Sequence, residues 1–227
     1  QEAALAAHWE DMRADDRFGK AFLEGRADGL PVRFESYRRG RYEWGTRLVI
    51  RGLARLSARR ESTATALEKR FLGETEIELG APAFDERCFV SGSAAIAHAV
   101  LDAPARRLLA SALSGRLAFE EGGSLGVRAR LSEGTLTLEC REGWGPSYRR
   151  VRDLLRGGLT LARHLTLPPD LPLRIARNLA AESQPAVRLN ALATLAREYP
   201  DNPATQPALV AALQDARAEV RLRAASA

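Results

Sequence analysis

The sequence predicts an α+β protein in which a largely antiparallel sheet with packed helices precedes a C-terminal array of short helices. Residues 47–59 alternate between arginine and apolar positions with the period of two that is typical of a half-buried strand. Ala94–Leu113, in contrast, has helical composition and spacing. Finally, the segment Pro185–Ala191 returns as Ala218–Ala224 at an offset of 33 residues, which indicates a helical repeat. We therefore expect two domains, residues 1–167 and 168–227.

The N-terminal segment divides into a predicted helix and a predicted hairpin. Alanine-rich Ala3–Asp15 places Leu5, Trp9 and Met12 at helical spacing and predicts a short amphipathic helix. The apolar segments around residues 21–25 and 30–36 flank Asp28-Gly29, a strong turn signal. We expect a hairpin here, with a loop longer than two residues.

The alternating segment Arg47–Arg59 predicts the most informative strand, with a bend at Gly52. Thr63–Phe71 is a weaker strand candidate, and Glu74–Leu79 alternates between glutamates and apolar residues. Cys88–Ser91 is expected to continue the sheet.

Further along, Asp102 followed by Pro104 predicts that Ala94–Leu113 is two helices rather than one. A third helix is expected from Ser147 to His164, with Gly157-Gly158 allowing close approach of another backbone. Between these helices we expect a three-stranded meander over Arg116–Glu120, Leu125–Leu131 and Thr135–Arg141.

Composition restricts the function classes. A net charge of +5 and a pI near 9.7 permit an acidic partner without requiring one. Cys88 and Cys140 are too few for a disulfide framework or a cysteine zinc site, and we expect no cofactor or metal. With no signal-peptide or membrane-helix pattern we expect a cytoplasmic location, although a leader or anchor upstream of Gln1 stays open. Both ends look cut, and further repeats are expected after Ala227.

Residues 171–227 resemble HEAT repeats, in which two helices pack as a hairpin and stack on the neighbouring pairs. The resemblance lies in the pairs Val187-Arg188 and Val220-Arg221, each followed by a small residue, and in Asp215 five positions before Val220. It implies a helical solenoid that serves as a protein-binding scaffold. The segment Gly80–Asp85 before an apolar strand resembles uncharacterised bacterial domains that precede such repeats.

A remote catalytic candidate is the string Gly122-Gly-Ser-Leu-Gly126, which matches the Gly-x-Ser-x-Gly pattern of serine hydrolases. That pattern exposes its serine on a sharp turn from strand to helix. The residues after Gly126 alternate like a strand instead. We therefore expect a hairpin turn at Ser124 and no enzyme activity.

The segment 33–60 carries nine arginines interleaved with Tyr37, Tyr42 and Trp44, the composition of a phosphate-contacting surface. The opposing interpretation is a ladder in which the arginines pair across strands with Glu74, Glu76 and Glu78. The candidate nucleic-acid or anion contacts are Arg38, Arg39, Arg41, Tyr42, Trp44, Arg47 and Arg51.

Our first hypothesis is a non-catalytic protein-interaction or scaffold protein, and the alternative is a nucleic-acid or anionic-surface binder. The candidate interaction residues of the repeats are Arg188, Leu209, Leu213 and Arg221. Because a terminal repeat leaves an apolar face uncovered, we also expect self-association through the C-terminal repeat.

Overall fold

The computed structural model describes residues 9–17, 20–38, 44–61, 75–119, 123–142 and 148–227. Antiparallel strands and helices are grouped in runs along the described residues, so the predicted α+β class is confirmed. The chain divides into two compact units, Gln1–Leu53 with Leu108–Thr166 and Ala54–Arg107 with Leu167–Ala227. One boundary coincides with the predicted linker, but residues 54–107 group with the C-terminal helices instead of the sheet.

The strands are β1 Trp9–Arg17, β2 Lys20–Ala27, β3 Leu30–Arg38, β4 Trp44–Ile50, β5 Leu56–Arg60, β6 Cys88–Gly92, β7 Arg116–Ala118, β8 Ser124–Gly126, β9 Arg128–Ser132 and β10 Thr135–Glu142. The helices are α1 Pro82–Asp85, α2 Ala94–Val100, α3 Ala103–Leu113, α4 Tyr148–Leu165, α5 Leu171–Ala181, α6 Pro185–Glu198, α7 Thr205–Ala212 and α8 Ala218–Ala225. In the first unit the described strands run antiparallel in the order β1, β2, β3, β4, β10, β9.

The hairpin of β2 and β3 is confirmed, but its loop is only two residues long. Ala27 pairs with Leu30, and Asp28 and Gly29 between them have φ angles of 52° and 73°. Two consecutive residues with positive φ form the turn whose twist matches that of the strands. The Asp28 carboxylate also accepts a hydrogen bond of 2.8 Å from Nε of Arg163 on α4.

The predicted N-terminal helix is wrong over the described part of its range. Residues 9–17 form strand β1, which pairs antiparallel with β2 and has a bulge between Glu10 and Arg13. Helix propensity is a weak preference, and an isolated helix of this length is only marginally stable in water. Main-chain pairing with β2 satisfies the backbone of β1 instead.

The long strand predicted over Arg47–Arg59 is divided into β4 and β5. Gly52, between them, has a φ of +77°, which turns the chain out of the extended conformation. The expected strand at Glu74–Leu79 is reduced to a single bridge between Glu76 and Ser91. The weaker candidate at 63–71 lies outside the described residues.

The predicted meander is two separate ribbons. Strands β7 and β8 pair with each other, whereas β9 and β10 form a hairpin that continues the main sheet. Val127 interrupts the pattern between β8 and β9. Leu136, Leu138 and Cys140 alternate along β10 and share its buried face. Opposite them on β4, Leu48 and Ile50 are fully buried as well.

Helix α4 packs on this apolar face of the sheet, and its Leu154 and Leu161 side chains are fully buried. Gly157 and Gly158 are the points of closest approach. A Cβ atom at Gly158 would lie 2.5 Å from Cδ2 of Leu48, and one at Gly157 would lie 2.6 Å from Cδ2 of Leu117. The two glycines therefore allow apolar side chains to approach the α4 backbone closely. The sequence had suggested that another backbone would approach there.

In the second unit, β5 pairs with β6, and helix α2 packs against α5 and α6. The predicted break between α2 and α3 is confirmed, because Asp102 Oδ1 accepts a hydrogen bond of 2.9 Å from the Ala105 N–H. The Asn178 amide on α5 donates to the carbonyls of His98 and Ala99 on α2, at 2.9 and 2.8 Å. Helix α5 also packs against α6 and α7, and α8 packs against α6 and α7.

Candidate functional site

The polar face of the first unit's sheet is a network of alternating charges. Arg47 on β4 lies between two glutamates of the neighbouring strands. Its Nε atom donates to Glu139 Oε1 at 2.7 Å, and its Nη1 atom donates to Glu35 Oε2 at 3.3 Å. The hydrogen bond to Glu139 raises the pKa of Arg47 above its ordinary value. The ring of Tyr37 lies under the same guanidinium, 5.2 Å from centroid to Cζ.

Neighbouring arginines extend the network along the sheet. Arg33 Nε lies 2.7 Å from Glu35 Oε1 and its Nη1 atom lies 3.9 Å from Glu24, while Arg51 Nη1 lies 3.8 Å from the same Glu24. The predicted ladder of arginine and glutamate therefore exists. Its acids, however, come from β2, β3 and β10.

The acids that the sequence assigned to this ladder lie elsewhere. Glu76 bridges to Ser91, the Glu78 carbonyl accepts a hydrogen bond from Asn190, and Glu74 lies outside the described residues. Charge alternation along one segment predicts a cross-strand partner of opposite sign, but it does not say which segment supplies it.

The predicted phosphate contacts are only partly within the described residues. Arg39, Arg41 and Tyr42 lie outside them, and for Arg38 only its backbone position at the end of β3 is described. Trp44 begins β4. Of this candidate set, Arg47 and Arg51 have the carboxylate partners given above.

Ser124 stands on strand β8 opposite Ala118. The chain continues through Val127 into another strand, β9, so the strand-to-helix turn of a serine-hydrolase nucleophile is not formed at Ser124. Ser124 thus lies on the second strand of the β7–β8 pair, and not in the turn that the sequence predicted at this position.

Two buried titratable groups are held in their neutral forms. Burial, together with the charges of Arg106 and Arg197, lowers the pKa of His98 to about 4. Burial raises the pKa of Cys88 to about 11, helped by the nearby Asp85 carboxylate. Within the described ranges, no three His, Cys, Asp or Glu side chains come together as metal ligands would.

The candidate arginines of the repeat do bring groups together. Arg188, the fourth residue of α6, donates from Nε and Nη2 to the two carboxylate oxygens of Asp215, at 2.7 and 2.8 Å. Its Nη1 atom donates to the carbonyls of Glu182 and Ser183, in the turn that precedes α6, at 3.0 and 3.1 Å. The hydrogen bonds from Arg188 lower the pKa of Asp215.

Arg221 makes the same hydrogen bonds to the preceding turn as Arg188, but it does not have the carboxylate partner. It is the fourth residue of α8, and its Nη1 atom donates to the carbonyls of Asp215 and Ala216 in the preceding turn, at 2.8 and 3.2 Å. Within the described part of the chain, no carboxylate lies within ion-pair distance of its guanidinium. Arg188 thus has an acid from a following turn and is half-buried, whereas Arg221 is exposed and has no such acid in the described residues.

Sequence reasoning missed a third arginine of the same kind. Arg106, the fourth residue of α3, donates from Nη1 to the Leu101 carbonyl at 3.0 Å and from Nη2 to Glu182 Oε2 at 2.6 Å. Both charged side chains are buried, with 5% and 4% exposure. Burial raises the pKa of Glu182, but the Gln184 backbone N–H and Arg106 outweigh it, and the pKa lies below its ordinary value.

A sequence signal for Arg106 does exist. A buried apolar residue precedes each of the three arginines, and another follows three positions later. The residues before them are Ala105, Val187 and Val220, and those after them are Leu109, Ala191 and Ala224. This pattern is hard to recognise from sequence alone, because Arg106 precedes Arg188 by 82 residues. The repeat that the sequence shows has a spacing of 33 residues.

The surface of the last helix pair is unusually apolar. Val210 on α7, Leu213 at its end and Leu222 on α8 are 58%, 41% and 71% exposed. Leu209, the other predicted interaction residue, is half-buried. Of the helices in the described residues, none has the length and apolar character that crossing a bilayer requires.

Comparison with known proteins adds no assignment. No protein-family model, curated protein or solved structure matches the chain.

Proposed function

We propose that the protein is a non-catalytic interaction protein whose C-terminal helices form a HEAT-like array that binds another protein. The observation that supports it best is the recurrence of one arrangement at Arg188 and Arg221. In each case the fourth residue of a helix caps the carbonyls of the preceding turn. Such recurrence is expected when similar helix pairs stack on one another, because each pair meets the next through the same groups.

On this interpretation α2 and α3 are the first helix pair of the array. Arg106 binds the acid of the α5–α6 turn, as Arg188 binds the acid of the α7–α8 turn. Glu182 and Asp215 both stand six residues before the arginine of their own pair. The residue six positions before Arg106 is Val100, which is not acidic. This is expected for the first pair of the array, because no earlier pair supplies an arginine that an acid at this position could bind.

The binding surface in this proposal is the α7–α8 pair. Arg221 and the exposed Leu222 lie on α8, and the exposed Val210 and Leu213 lie on α7 and at its end. Within the described residues, no carboxylate lies within ion-pair distance of the Arg221 guanidinium. Exposed apolar groups of this size mark interaction surfaces when they occur together. The partner that fits is a helix pair with an Asp or Glu in its turn. The α2–α3 pair of a second copy does not fit, because Val100 stands at the acid position.

The experiment is site-specific photo-crosslinking from position 222 in the full-length chain, followed by mass spectrometry of the crosslinked residues. We expect crosslinks to a partner's interhelical turn, and we expect Arg221→Glu and Leu213→Asp to abolish them. Leu167→Asp is the matched control, because Leu167 is 48% exposed but lies before α5. Equal crosslinking by all variants would contradict the proposal, and crosslinks to a second copy would identify self-association.

The chemistry of the surface can be tested without knowing the partner. A second copy of residues 195–227 attached after Ala227 places another Asp215 33 residues after the first, where Arg221 can reach it. Charge-assisted hydrogen bonds should then slow amide hydrogen exchange in α8, and Asp→Asn in the attached copy should remove most of the protection. Exchange rates that do not respond to this Asp→Asn change would refute the role given to Arg221.

The alternative, a nucleic-acid surface over 33–60, has less support because Arg33, Arg47 and Arg51 have glutamate partners. A salt titration with generic DNA and RNA tests it. Failure to retain either at low ionic strength would exclude that surface.

A further inference from the structure

Two clefts in the first unit adjoin each other and share Gly126, Cys140 and Arg141. The first, with a volume of about 520 Å³, is also lined by Tyr37, Gly115, Val127, Arg128 and Glu139. The second, of about 490 Å³, is also lined by Ser124, Leu125, Arg149, Arg150 and Asp153. Volumes of this size are those of small-molecule sites in proteins.

The charge in these clefts is not balanced internally. Four arginines and two acids line them, and both acids are engaged by arginines that line neither cleft. Glu139 accepts from Arg47 at 2.7 Å, and Asp153 lies 3.3 Å from Nη2 of Arg152. Within the described residues, none of the four lining arginines thus has a carboxylate partner closer than the 3.9 Å between Arg149 and Asp153.

Three of the lining guanidiniums, those of Arg128, Arg141 and Arg150, make no ion pair or hydrogen bond within the described part of the chain. Arg149 has only a long contact of 3.9 Å with Asp153. In the sheet network described above, by contrast, Arg33 and Arg47 have carboxylate partners at 2.7 Å. Within the described residues, the clefts thus gather four arginines that have no short ion pair, and all four lie outside the segment that the sequence indicated.

Helix α4 adds to this positive charge. It is 18 residues long, begins at Tyr148, and has Arg149 and Arg150 but no acid in its first turn. The N-terminus of a helix has a partial positive charge and free N–H groups, so cations there are unfavourable and an anion is stabilised. An anion bound at this point would remove the repulsion among Arg141, Arg149, Arg150 and the helix end.

We propose that the two clefts form one site for a phosphorylated small molecule. Its phosphate binds Arg141, Arg149 and Arg150 at the start of α4, and the rest of the ligand extends along Arg128 and Tyr37. Guanidinium groups bind phosphate oxygens in pairs of parallel hydrogen bonds, which suits the three arginines that line the second cleft. A long nucleic-acid strand is less suitable, because Glu139 and Asp153 interrupt any continuous basic track.

The test is calorimetric titration of the full chain with inorganic pyrophosphate at low salt. A hydrogen bond to a charged group contributes roughly 1.5–3 kcal/mol, so Arg141→Ala and Arg150→Ala should each weaken binding by about tenfold or more. Arg130→Ala is the matched control, because Arg130 is an exposed arginine of β9 that lines neither cleft. Circular dichroism establishes that each variant is folded. If the Arg141→Ala variant is not folded, the pyrophosphate affinity of the Arg150→Ala variant, at the exposed start of α4, tests the proposal instead.

Absence of pyrophosphate binding by the wild-type chain would overturn the proposal. So would equal weakening by Arg130→Ala, because that would show attraction to general positive charge. A single-stranded 12-nucleotide RNA serves as the second probe. Binding of this RNA with no competition from pyrophosphate would assign the surface to nucleic acid and would also overturn the proposal. Failure here leaves the interaction surface at α7–α8 untouched, since that surface uses none of these residues.

Discussion

Arginine has three different environments in this protein, and its environment decides what each residue can do. Arg106 is buried against Glu182, Arg47 is half-exposed between two glutamates, and Arg141 has no carboxylate partner in the described residues. A buried pair is essential once formed, because removing one partner leaves an uncompensated charge in a medium of low polarity. A half-exposed pair contributes much less, because water screens it.

Arg106→Ala should therefore lower the free energy of unfolding by about 3–5 kcal/mol, because it leaves Glu182 buried and unpaired. Urea denaturation monitored by circular dichroism measures the effect. The neighbouring Arg107→Ala is the control, since Arg107 is exposed, and it should cost less than about 0.5 kcal/mol. Replacing both Arg106 and Glu182 by Ala should cost less than the sum of the single changes. A loss at Arg106 as small as that at Arg107 would contradict the buried pair.

His98 makes stability depend on pH in a defined window. Its pKa is about 4 in the folded protein and about 6.5 when unfolded, so between these values only the unfolded state binds the proton. Stability contributed by the neutral imidazole is present above pH 6.5 and is lost as the pH falls toward 4. The linkage relation gives a loss of about 2 kcal/mol between pH 7 and pH 5.

Urea unfolding of wild type and His98→Gln at pH 7 and pH 5 measures this contribution. Above pH 5 most carboxylates stay ionised in both states, so the difference between the two proteins isolates the imidazole. Removal of His98 should remove most of the stability change over this interval. An unaltered pH dependence in the variant would show that His98 accepts a proton in the folded state.

At the scale of elements, the contact of Gly80 with the start of α6 fixes the loop before α1. Gly80 has a φ of +85°, and a Cβ atom there would lie 2.6 Å from the carbonyl carbon of Ala186. The Asp85 carboxylate holds the same loop by accepting from the N–H groups of Gly80 and Ala81, at 2.9 and 2.8 Å. Only glycine satisfies both the backbone angle and the space available.

Gly80→Ala should consequently destabilise the protein by about 2–5 kcal/mol, because left-handed strain adds to a clash with backbone that cannot move aside. Gly29→Ala is a closely matched control. Gly29 also has positive φ, at +73°, but a Cβ atom there meets nothing within 4 Å. It should cost only the strain, roughly 1–2 kcal/mol. Equal melting temperatures for the two variants would show that the Gly80 contact is not formed.

The elements that sequence predicted correctly are those whose signals are local. Asp28-Gly29 specifies its turn through backbone angles, Asp102 with Pro104 specifies a helix start, and the alternation at Leu136, Leu138 and Cys140 specifies a buried face. Strand β1 was missed because its conformation depends on pairing with β2, a tertiary effect that outweighs alanine's preference for helix.

Candidate sites were harder to predict because they depend on distant partners. The arginines of β3 and β4 looked available from composition, but Glu139, some 92 residues after Arg47, occupies that face. Arg141 stands apart in the sequence, whereas Arg150 belongs to a short basic segment over residues 149–156, and folding places both residues at the same cleft. Sequence indicates which residues could bind an anion, and the pairing of strands decides which of them are free to do so.

At the scale of the whole molecule, each compact unit is built from two separate segments of chain. Residues 54–107 and 167–227 make up the second unit, and its helix α2 packs on α5 and α6 although some 70 residues separate them. The predicted division into 1–167 and 168–227 assumes that each domain is one continuous stretch of chain. No local sequence signal indicates that residues 168–227 pack with residues 54–107. The C-terminal helical segment is recognisable from its own sequence. The helices that it packs against, however, precede strands β7–β10, which separate the two parts of the second unit in sequence.

Residues 168–227 expressed alone should therefore fail to fold cooperatively. Without α2 and α3, the buried Ile175 and Leu179 of α5 lose part of their cover, Asn178 loses its carbonyl partners on α2, and Glu182 loses Arg106. Helix pairs that stack in this way need their neighbours, and about three are required for stability. Thermal unfolding followed by circular dichroism should show low helicity and a broad transition, whereas the full chain melts sharply. A sharp transition of the isolated segment at the temperature of the full chain would show that α5–α8 is independent of the earlier helices.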